Sequence, residues 1–384
     1  MINFLNYNDF FGLYIHIPFC KSKCNYCDFY SIKTCNSIMD EYINNLKEEI
    51  KLYSDKINER RIKTIYIGGG TPSTLSSKAV SDILNTIHNN FIVKKETETT
   101  IEANPESLNK DKILAYSQAG INRISLGVQS FLNKELTFLG RIHDVEESLN
   151  TIEIIKKHFE NYSIDLIFAI PGQDFSDFKQ NLNKAIEINP PHISLYNLQI
   201  EKGTVLYKKL KNNKIRNISE ELDYKMYNHA IKQLIKKNYN HYEISNFAKK
   251  GYESKHNLIY WDYEPYLGLG PSAHGFNGSN RYYNVQDIDL YNKKISNGNL
   301  PVKEIVELSK KDLITERMIM GLRLKKGVNK KEFKNRFGIS VFELYGETIE
   351  KLKKENLIRI DDEKITLTKK GLNLGNITFA EFLL

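Results

Sequence analysis

The chain has 384 residues, of which 41% are apolar and 27% charged, so it can bury a sizeable core and is too apolar to be disordered. Lysine and arginine exceed the acidic residues by eight, which permits contact with an anionic partner without requiring one. Four cysteines are too few for a disulfide-dense secreted protein, and neither a membrane-spanning run nor a signal peptide is recognisable, so we expect a cytoplasmic protein.

Six short runs of β-branched and apolar residues are predicted to form strands, with helical patterns between them. The strand-like runs are residues 13–17, 64–67, 99–102, 123–126, 164–169 and 193–198, and the helical patterns are residues 38–53, 79–87, 110–118, 145–158 and 178–188. Alternating strands and helices imply a parallel sheet with right-handed crossovers. Six such units in roughly 200 residues favour an α/β fold with a partial (β/α)6 barrel, and a doubly wound sheet is the alternative.

The pattern changes in the last third of the chain, where a glycine-rich segment covers residues 266–275. Three helical patterns then precede two short strands joined by a turn, at residues 311–323, 330–337, 341–354, 358–360 and 364–367. Three helices and a β-hairpin predict a winged-helix-like domain. We therefore expect the barrel in residues 1–240, an extension of it in residues 241–300, and this C-terminal domain in residues 301–384.

Three of the four cysteines, Cys20, Cys24 and Cys27, form a CxxxCxxC motif directly after the first predicted strand. Three thiolates on one short loop can bind three irons of one iron–sulfur cluster and leave the fourth iron open. A zinc site needs a fourth ligand, for which His16 or Asp28 could serve, but zinc sites usually pair two cysteine-containing halves and the chain has only one. A redox CxxC pair would leave Cys20 unexplained.

The cysteine motif, with Tyr26 before its last cysteine, resembles that of the radical S-adenosylmethionine (SAM) superfamily. The resemblance implies a [4Fe–4S] cluster on Cys20, Cys24 and Cys27, whose open iron is chelated by the amino and carboxylate groups of SAM. One electron from the cluster then cleaves the sulfonium and yields a 5′-deoxyadenosyl radical. The cofactors carry this chemistry, and the protein positions and shields them.

Polar and glycine residues follow the next predicted strands. Successive glycines let the backbone approach a ligand closely, although a glycine run is also common in tight turns. The resemblance implies that Gly69, Gly70 and Thr71 contact the amino group of SAM. Four further side chains stand near strand ends, where a parallel barrel gathers its active site: Glu102, Gln129, Arg141 and Asp165. Each of these residues alone could also cap a helix or lie in a loop. However, the ribose diol of SAM can donate to a carboxylate, and the carboxylate of SAM can pair with an arginine.

Position by position, these motifs resemble the oxygen-independent coproporphyrinogen III oxidases and their relatives. The resemblance implies that Tyr26 lies near a second SAM and that the SAM sites are lined by Tyr14, Gly69, Glu102, Gln129, Arg141 and Asp165. Two features depart from the oxidases. The oxidases carry a fourth cysteine at the position where this chain has Phe29. They also have a long segment before the motif, whereas 19 residues precede Cys20 in this chain. Both features, and the Asp28-Phe29 pair, are similar to the heme chaperones of this subfamily.

A third feature, the run from His256 to Trp261, fits the HNxxYW motif of those chaperones. An imidazole can ligate heme iron, and tyrosine and tryptophan rings can pack on a flat macrocycle. A histidine among aromatic residues is also commonly a core residue with both nitrogens satisfied. The resemblance implies that His256 contacts heme, so heme joins the cluster and SAM among the expected cofactors.

The predicted C-terminal domain also suits a nucleic-acid-binding winged helix, since it contains a basic stretch at residues 325–334. Acidic residues are interleaved through the domain and no base-reading pattern is evident, so no nucleic acid is expected. The resemblance implies instead that the domain closes over the barrel mouth or contacts a partner. Its basic helices would also permit transient contact with an anionic membrane surface.

The sequence therefore predicts a heme chaperone that delivers heme to an apo-hemoprotein. The alternative is an oxygen-independent coproporphyrinogen III oxidase, which decarboxylates substrate propionates by radical chemistry. Phe29 in place of a fourth cysteine favours the chaperone. A radical SAM enzyme that modifies RNA ranks last, because only the charge excess and the C-terminal domain suggest it.

Overall fold

The computed structural model of the chain describes residues 5–7 and 10–384, and twelve of the strands in this range form one sheet. In chain order the strands are β1 (Phe11–Ile17), β2 (Phe19–Cys20), β3 (Ile32–Lys33), β4 (Arg61–Gly69), β5 (Ile92–Ala103), β6 (Arg123–Gln129), β7 (Tyr162–Phe168), β8 (His192–Asn197), β9 (Asn240–Glu243), β10 (Asn246–Ala248), β11 (Tyr266–Leu269), β12 (His274–Phe276), β13 (Asn280–Asn284), β14 (Val302–Glu307), β15 (Val328–Asn329), β16 (Ile358–Ile360) and β17 (Lys364–Leu367).

The main sheet has the order β14-β13-β12-β11-β1-β4-β5-β6-β7-β8-β10-β9. Every pair from β11 through β8 is parallel, and the strands outside this run pair antiparallel. The six predicted strands are β1 and β4 to β8, in the parallel order that the predicted α/β partial barrel requires. Strand β11 is a seventh parallel strand that the sequence analysis missed. This strand was not predicted because its sequence is rich in glycine. Gly268 is required there, since a Cβ at this position would clash with His274 O.

Helices connect the parallel strands and cover the sheet. They are α1 (Asn36–Lys56), α2 (Ser77–Asn90), α3 (Lys110–Gln118), α4 (Asn133–Leu139), α5 (Val145–His158), α6 (Phe175–Ile188), α7 (Val205–Lys211), α8 (Glu220–Lys236), α9 (Lys255–Trp261), α10 (Ile288–Ser296), α11 (Lys310–Arg323), α12 (Lys330–Phe337), α13 (Val341–Lys354), α14 (Lys369–Asn373) and α15 (Gly375–Ala380). None of them, within the described residues, is both long and apolar enough to cross a membrane.

Helix α5 illustrates why the helices begin where they do. The side chain of Asp144 accepts from the backbone N–H of Glu147 at 2.8 Å, and Glu147 accepts in return from the backbone N–H of Asp144 at 3.1 Å. This capping box satisfies donors that the first helical turn leaves open. The apolar residues Ile152 and Ile155 are buried against the large core that fills the space between sheet and helices.

The C-terminal domain has its own apolar core, formed by helices α11 to α15 and the antiparallel sheet β15-β17-β16. Strand β14 precedes it and pairs with β13 in the main sheet, so Val302–Glu307 belongs to the barrel side of the boundary expected at residue 301. Glu316 of α11 accepts hydrogen bonds of 2.5 Å from Tyr263 and from Arg281. Beside them, the guanidinium of Arg323 lies 4.4 Å from the centre of the Trp261 ring.

Candidate functional site

A cavity of about 550 Å³ lies at the carboxyl ends of the parallel strands. The predicted residues that line it are Cys20, Cys24, Tyr26, Cys27, Gly69, Gly70, Thr71, Glu102, Gln129, Arg141 and Asp165. They come from separate βα units, so the sheet brings distant parts of the sequence together at one edge. Tyr14 and His256, which were also predicted, are not among the lining residues.

Short hydrogen bonds hold both ends of the cysteine loop. At its base, the N–H of Ile32 donates to Pro18 O at 2.7 Å and the N–H of Thr34 donates to Cys20 O at 3.1 Å. At its tip, Asn25 donates to Leu139 O at 2.9 Å through its backbone and to Phe138 O at 2.8 Å through its side chain. The loop is therefore closed on itself and fixed to the segment that carries Arg141.

Two of the three thiols have polar neighbours supplied by other segments of the chain. Thr71 Oγ1 lies 3.5 Å from Cys20 Sγ, and Arg141 Nη1 lies 3.4 Å from Cys24 Sγ. Burial raises the pKa of the Cys27 thiol to about 11, since desolvation disfavours the thiolate. Within the described residues, no group of three or more His, Cys, Asp or Glu side chains is arranged to hold a single metal ion.

The glycines of the 68–71 segment let the backbone pass close to the cysteine loop. A Cβ on Gly70 would lie 2.7 Å from Phe19 O and 3.0 Å from Cys20 Sγ. The N–H groups of Gly70 and Thr71 donate to Ile17 O and Phe19 O, each at 2.8 Å. A side chain at position 70 would therefore push the two segments apart.

Glu102 is the second-last residue of strand β5, and both of its carboxylate oxygens accept hydrogen bonds from β4. Tyr66 Oη donates to Oε1 at 2.7 Å, and the N–H of Gly69 donates to Oε2 at 3.1 Å. The pKa of Glu102 is raised to about 7, chiefly by burial and also by the charge of Asp165, although these hydrogen bonds and the charge of Arg123 act in the opposite direction. Glu102 can therefore change its charge near neutral pH.

Asp165 and Gln129 stand on the neighbouring strands. Asp165 accepts hydrogen bonds of 2.8 Å from Ser125 Oγ and from Ser163 Oγ, which orient the carboxylate. Gln129 has a backbone φ of +66°, a left-handed conformation that a residue with a side chain adopts at a cost of about 1–3 kcal/mol. Such strain is concentrated at binding sites, because the surrounding structure has to enforce it.

Tyr14 and His256 lie outside the cavity lining. Tyr14 Oη is 3.1 Å from His16 Nδ1, and its ring stacks on that of Tyr66. His256 is 1% exposed, with Nδ1 2.7 Å from Thr64 Oγ1 and Nε2 2.9 Å from Tyr260 Oη. Because both ring nitrogens have protein partners, neither is open to a heme iron in this arrangement. The structure has the satisfied core histidine that the sequence analysis kept as an alternative.

Several lining residues were not predicted, among them Tyr66, Asn104, Ser125, residues 196–199 and Glu201. Asn104 accepts from Arg141 Nη2 at 2.6 Å and donates to Thr71 Oγ1 at 3.1 Å, so it joins two predicted residues. Its place two residues after Glu102, at a strand end, was the available signal. The C-terminal domain contributes none of the described lining residues, so the expectation that it closes over the barrel mouth or contacts a partner stays a prediction. The domain packs against Trp261, the last residue of helix α9, and against Tyr263, which follows that helix.

Comparison with known proteins identifies the family of this chain. The profile described as "Radical SAM superfamily" matches residues 14–185, and the profile described as "HemN C-terminal domain" matches residues 308–374. The chain is 40% identical over 372 residues to the heme chaperone HemW of Lactococcus lactis, covering 97% of each protein. It is 36% identical to the heme chaperone HemW of Bacillus subtilis, covering 96% of this chain and 98% of the relative.

The chain belongs to the HemW family of radical SAM proteins. This membership carries the implication of a [4Fe–4S] cluster and SAM that the whole superfamily shares. A zebrafish relative, "radical S-adenosyl methionine domain-containing protein 1, mitochondrial", is 30% identical and covers 97% of this chain and 87% of its own. Among solved structures, coproporphyrinogen III oxidase (HemN) of Escherichia coli matches with a TM-score of 0.84 at 22% identity, covering 97% and 90% of the two chains. That match confirms the predicted fold class.

Proposed function

We propose that this HemW-family protein is a heme chaperone: it holds a [4Fe–4S] cluster and SAM, binds heme and passes it to an apo-hemoprotein. One observation carries the proposal. Three thiols, the carboxylates of Glu102 and Asp165, and the guanidinium of Arg141 line a single cavity, in a chain 40% identical to a heme chaperone over nearly its whole length.

The residues around the cysteine loop fit a cluster. Cys20, Cys24 and Cys27 are free thiols, all half-buried on one loop that the rest of the cavity wall surrounds. A cluster needs its thiolates on different irons rather than converging on one ion. Gly70 leaves beside Cys20 the space that any side chain would fill. A bound cluster supplies single electrons and an open iron, and the three cysteines would be its protein ligands.

The remaining cavity residues fit SAM. Glu102 and Asp165 offer acceptors to the ribose hydroxyls, and each carboxylate keeps lone pairs beyond the two that protein donors occupy. Arg141 offers a cation to the ligand carboxylate. The amino group of SAM donates hydrogen bonds, so it would contact carbonyl oxygens of this segment, of which Thr71 O already accepts from Thr74; the N–H groups of residues 69–71 all donate to protein acceptors.

Heme needs exposed apolar surface, and the rim of the same cavity supplies it. Phe29 is 65% exposed and Tyr196 is 41% exposed, and both line the cavity together with Leu198. Aromatic rings bury large apolar area against a flat macrocycle. We assign the macrocycle to this rim and assign no axial ligand to His256, whose nitrogens are both engaged.

The proposal is tested by anaerobic reconstitution of the cluster, followed by heme titration and SAM binding by calorimetry. Transfer is followed as the Soret band of apo-myoglobin that receives the heme, with and without SAM. Cys24→Ser is expected to abolish cluster incorporation, whereas Cys35→Ser, at an exposed cysteine outside the motif, leaves iron and sulfide content unchanged. Efficient conversion of coproporphyrinogen III to protoporphyrinogen IX, with SAM and a reductant, would overturn the chaperone assignment in favour of the oxidase.

A further inference from the structure

Helix α9 fills the end of the barrel opposite the cavity. Gly12, near the start of β1, is the position where a Cβ would lie 2.8 Å from Ile259 Cδ1 and 3.3 Å from His256 Cε1. The backbone N–H of His256 donates to Glu98 Oε1 at 3.1 Å, which fixes the start of the helix to strand β5. The glycine at this position of β1 therefore leaves room for the helix inside the barrel.

The His256 ring is held on several sides inside the barrel. Thr64 and Tyr260 engage its two nitrogens, and its ring stacks on Tyr66 with centroids 5.0 Å apart and an angle of 26°. Burial and, to a smaller extent, the charge of Arg123 lower the pKa of His256 to about 3, so the imidazole is neutral. A neutral, fully bonded ring serves as a rigid support rather than as a proton carrier or a metal ligand.

Tyr66 connects that support to the cavity. Its ring rests on His256, and its hydroxyl donates to Glu102 Oε1. Thr64, Tyr66 and Gly68 are alternate residues of β4, so all three positions share the face that points into the barrel. A Cβ on Gly68 would lie 2.9 Å from Tyr66 Cε1 and 3.1 Å from Glu102 Oε2, which marks how tightly this layer is packed.

We infer that His256 is a positioning residue for SAM: it supports the Tyr66 ring, and Tyr66 in turn holds the Glu102 carboxylate toward the ligand. The assignment rests on the proposed function, in which Glu102 accepts from the ribose of SAM. Helix α9, which carries the HNxxYW motif, then acts on the SAM site from beneath the barrel. Binding of heme does not depend on His256.

The experiment measures SAM and heme affinity of the reconstituted protein in single and double variants. Tyr66→Phe keeps the stacked ring and removes the hydroxyl, and it is expected to weaken SAM binding about tenfold, as loss of a hydrogen bond to a charged group does. His256→Ala is expected to weaken SAM binding by a similar factor. The double variant is expected to be no weaker than the worse single variant, because both changes remove one chain of contacts. Heme affinity stays unchanged throughout.

The control is His241→Ala. His241 is also buried and ring-stacked, at 4.4 Å on Phe247, but it belongs to edge strand β9 and lines no part of the cavity. It is expected to lower the melting temperature without changing SAM affinity. If His256→Ala does not fold, Thr64→Val removes one hydrogen bond to the ring at nearly constant volume and is expected to weaken SAM binding in the same direction.

Three results would overturn the assignment. Unchanged SAM affinity in folded His256 and Thr64 variants would show that His256 does not influence the SAM site. Independent, multiplicative effects of His256→Ala and Tyr66→Phe would show that His256 does not act through Tyr66. Loss of heme binding in His256→Ala but not in Tyr66→Phe would restore His256 as a heme ligand. A wild-type protein that binds no SAM would overturn the proposed function itself, a failure distinct from variants that bind SAM as tightly as wild type.

Discussion

The guanidinium of Arg141 reaches the cysteine loop at Cys24, with Nη1 3.4 Å from Sγ. Its Nη2 donates to Asn104 Oδ1 at 2.6 Å and to Gly127 O at 3.0 Å. One cation therefore ties the loop to the ends of β5 and β6. The planar fork of arginine makes these contacts at once, which the single ammonium of lysine cannot do.

Arg141→Lys is expected to weaken SAM binding about tenfold while iron and sulfide content stay unchanged, because the charge remains and the fixed fork is lost. Calorimetry on the reconstituted protein measures the affinity. Lys23→Ala is the control, since Lys23 also lines the cavity but donates to Phe29 O at the rim. Equal weakening in both variants would contradict a specific role for the contacts of Arg141, because Lys23 makes none of them.

Glu102 predicts a pH dependence for SAM binding. Burial raises its pKa to about 7, so the carboxylate that accepts from ligand hydroxyls is formed as pH rises through 7. SAM affinity is therefore expected to increase between pH 6 and pH 8, by at most about tenfold per pH unit below the pKa. Glu102→Gln is expected to bind weakly with no such rise, and a wild-type profile that is flat over this range would contradict the prediction.

Glu49 predicts a separate pH effect, on stability alone. It is fully buried behind the sheet and accepts hydrogen bonds from Gly270 N, Tyr291 Oη and Asn284 Nδ2. Burial raises its pKa to about 8, so the folded protein holds a proton that the unfolded chain releases near pH 4.5. The contribution of Glu49 to the free energy of unfolding is at its maximum below pH 4.5, and this contribution is lost as the pH rises toward 8.

Relative to Glu49→Gln, wild type is therefore expected to lose stability over that range, with a slope of at most about 1.4 kcal/mol per pH unit. Urea unfolding of the two proteins at several pH values measures the difference. The same variant leaves the pH profile of SAM binding unchanged, since Glu49 lines no part of the cavity. A constant stability difference from pH 5 to pH 8 would contradict this prediction.

The sequence predicted the parallel strands and the residues that meet at the cavity because both depend on local patterns. Apolar runs specify β4 to β8, and each polar residue near a strand end reaches the cavity once the strands are parallel. Strand β11 escaped prediction because its four residues include the glycine that close packing against His274 requires.

The contacts that link distant segments were beyond local patterns. Nothing near Tyr66 in the sequence reveals that its hydroxyl meets Glu102, or that helix α9 returns beneath it. The same holds for His256, because a ligand and a satisfied core residue differ only in what faces the two ring nitrogens. Tertiary packing decides that, and here it supplies Thr64 and Tyr260.

Phe29 tests the assignment of heme to the cavity rim. Phe29→Ser removes an aromatic ring that is 65% exposed, and it is expected to weaken heme binding about tenfold, the cost of losing most of one buried apolar side chain. Iron content and SAM affinity stay unchanged, because the contact that Phe29 makes with Lys23 uses its backbone oxygen. Heme titration followed at the Soret band gives the affinity.

The matched control is Ile92→Ser. Ile92 is 60% exposed but begins strand β5, at the opposite end from the cavity. Its replacement removes exposed apolar area without touching the rim, so heme affinity is expected to remain at the wild-type value. If both variants weaken heme binding equally, the macrocycle associates with apolar surface in general. If neither does, the rim is not its site. Only loss confined to Phe29→Ser agrees with a macrocycle that rests beside the cysteine loop.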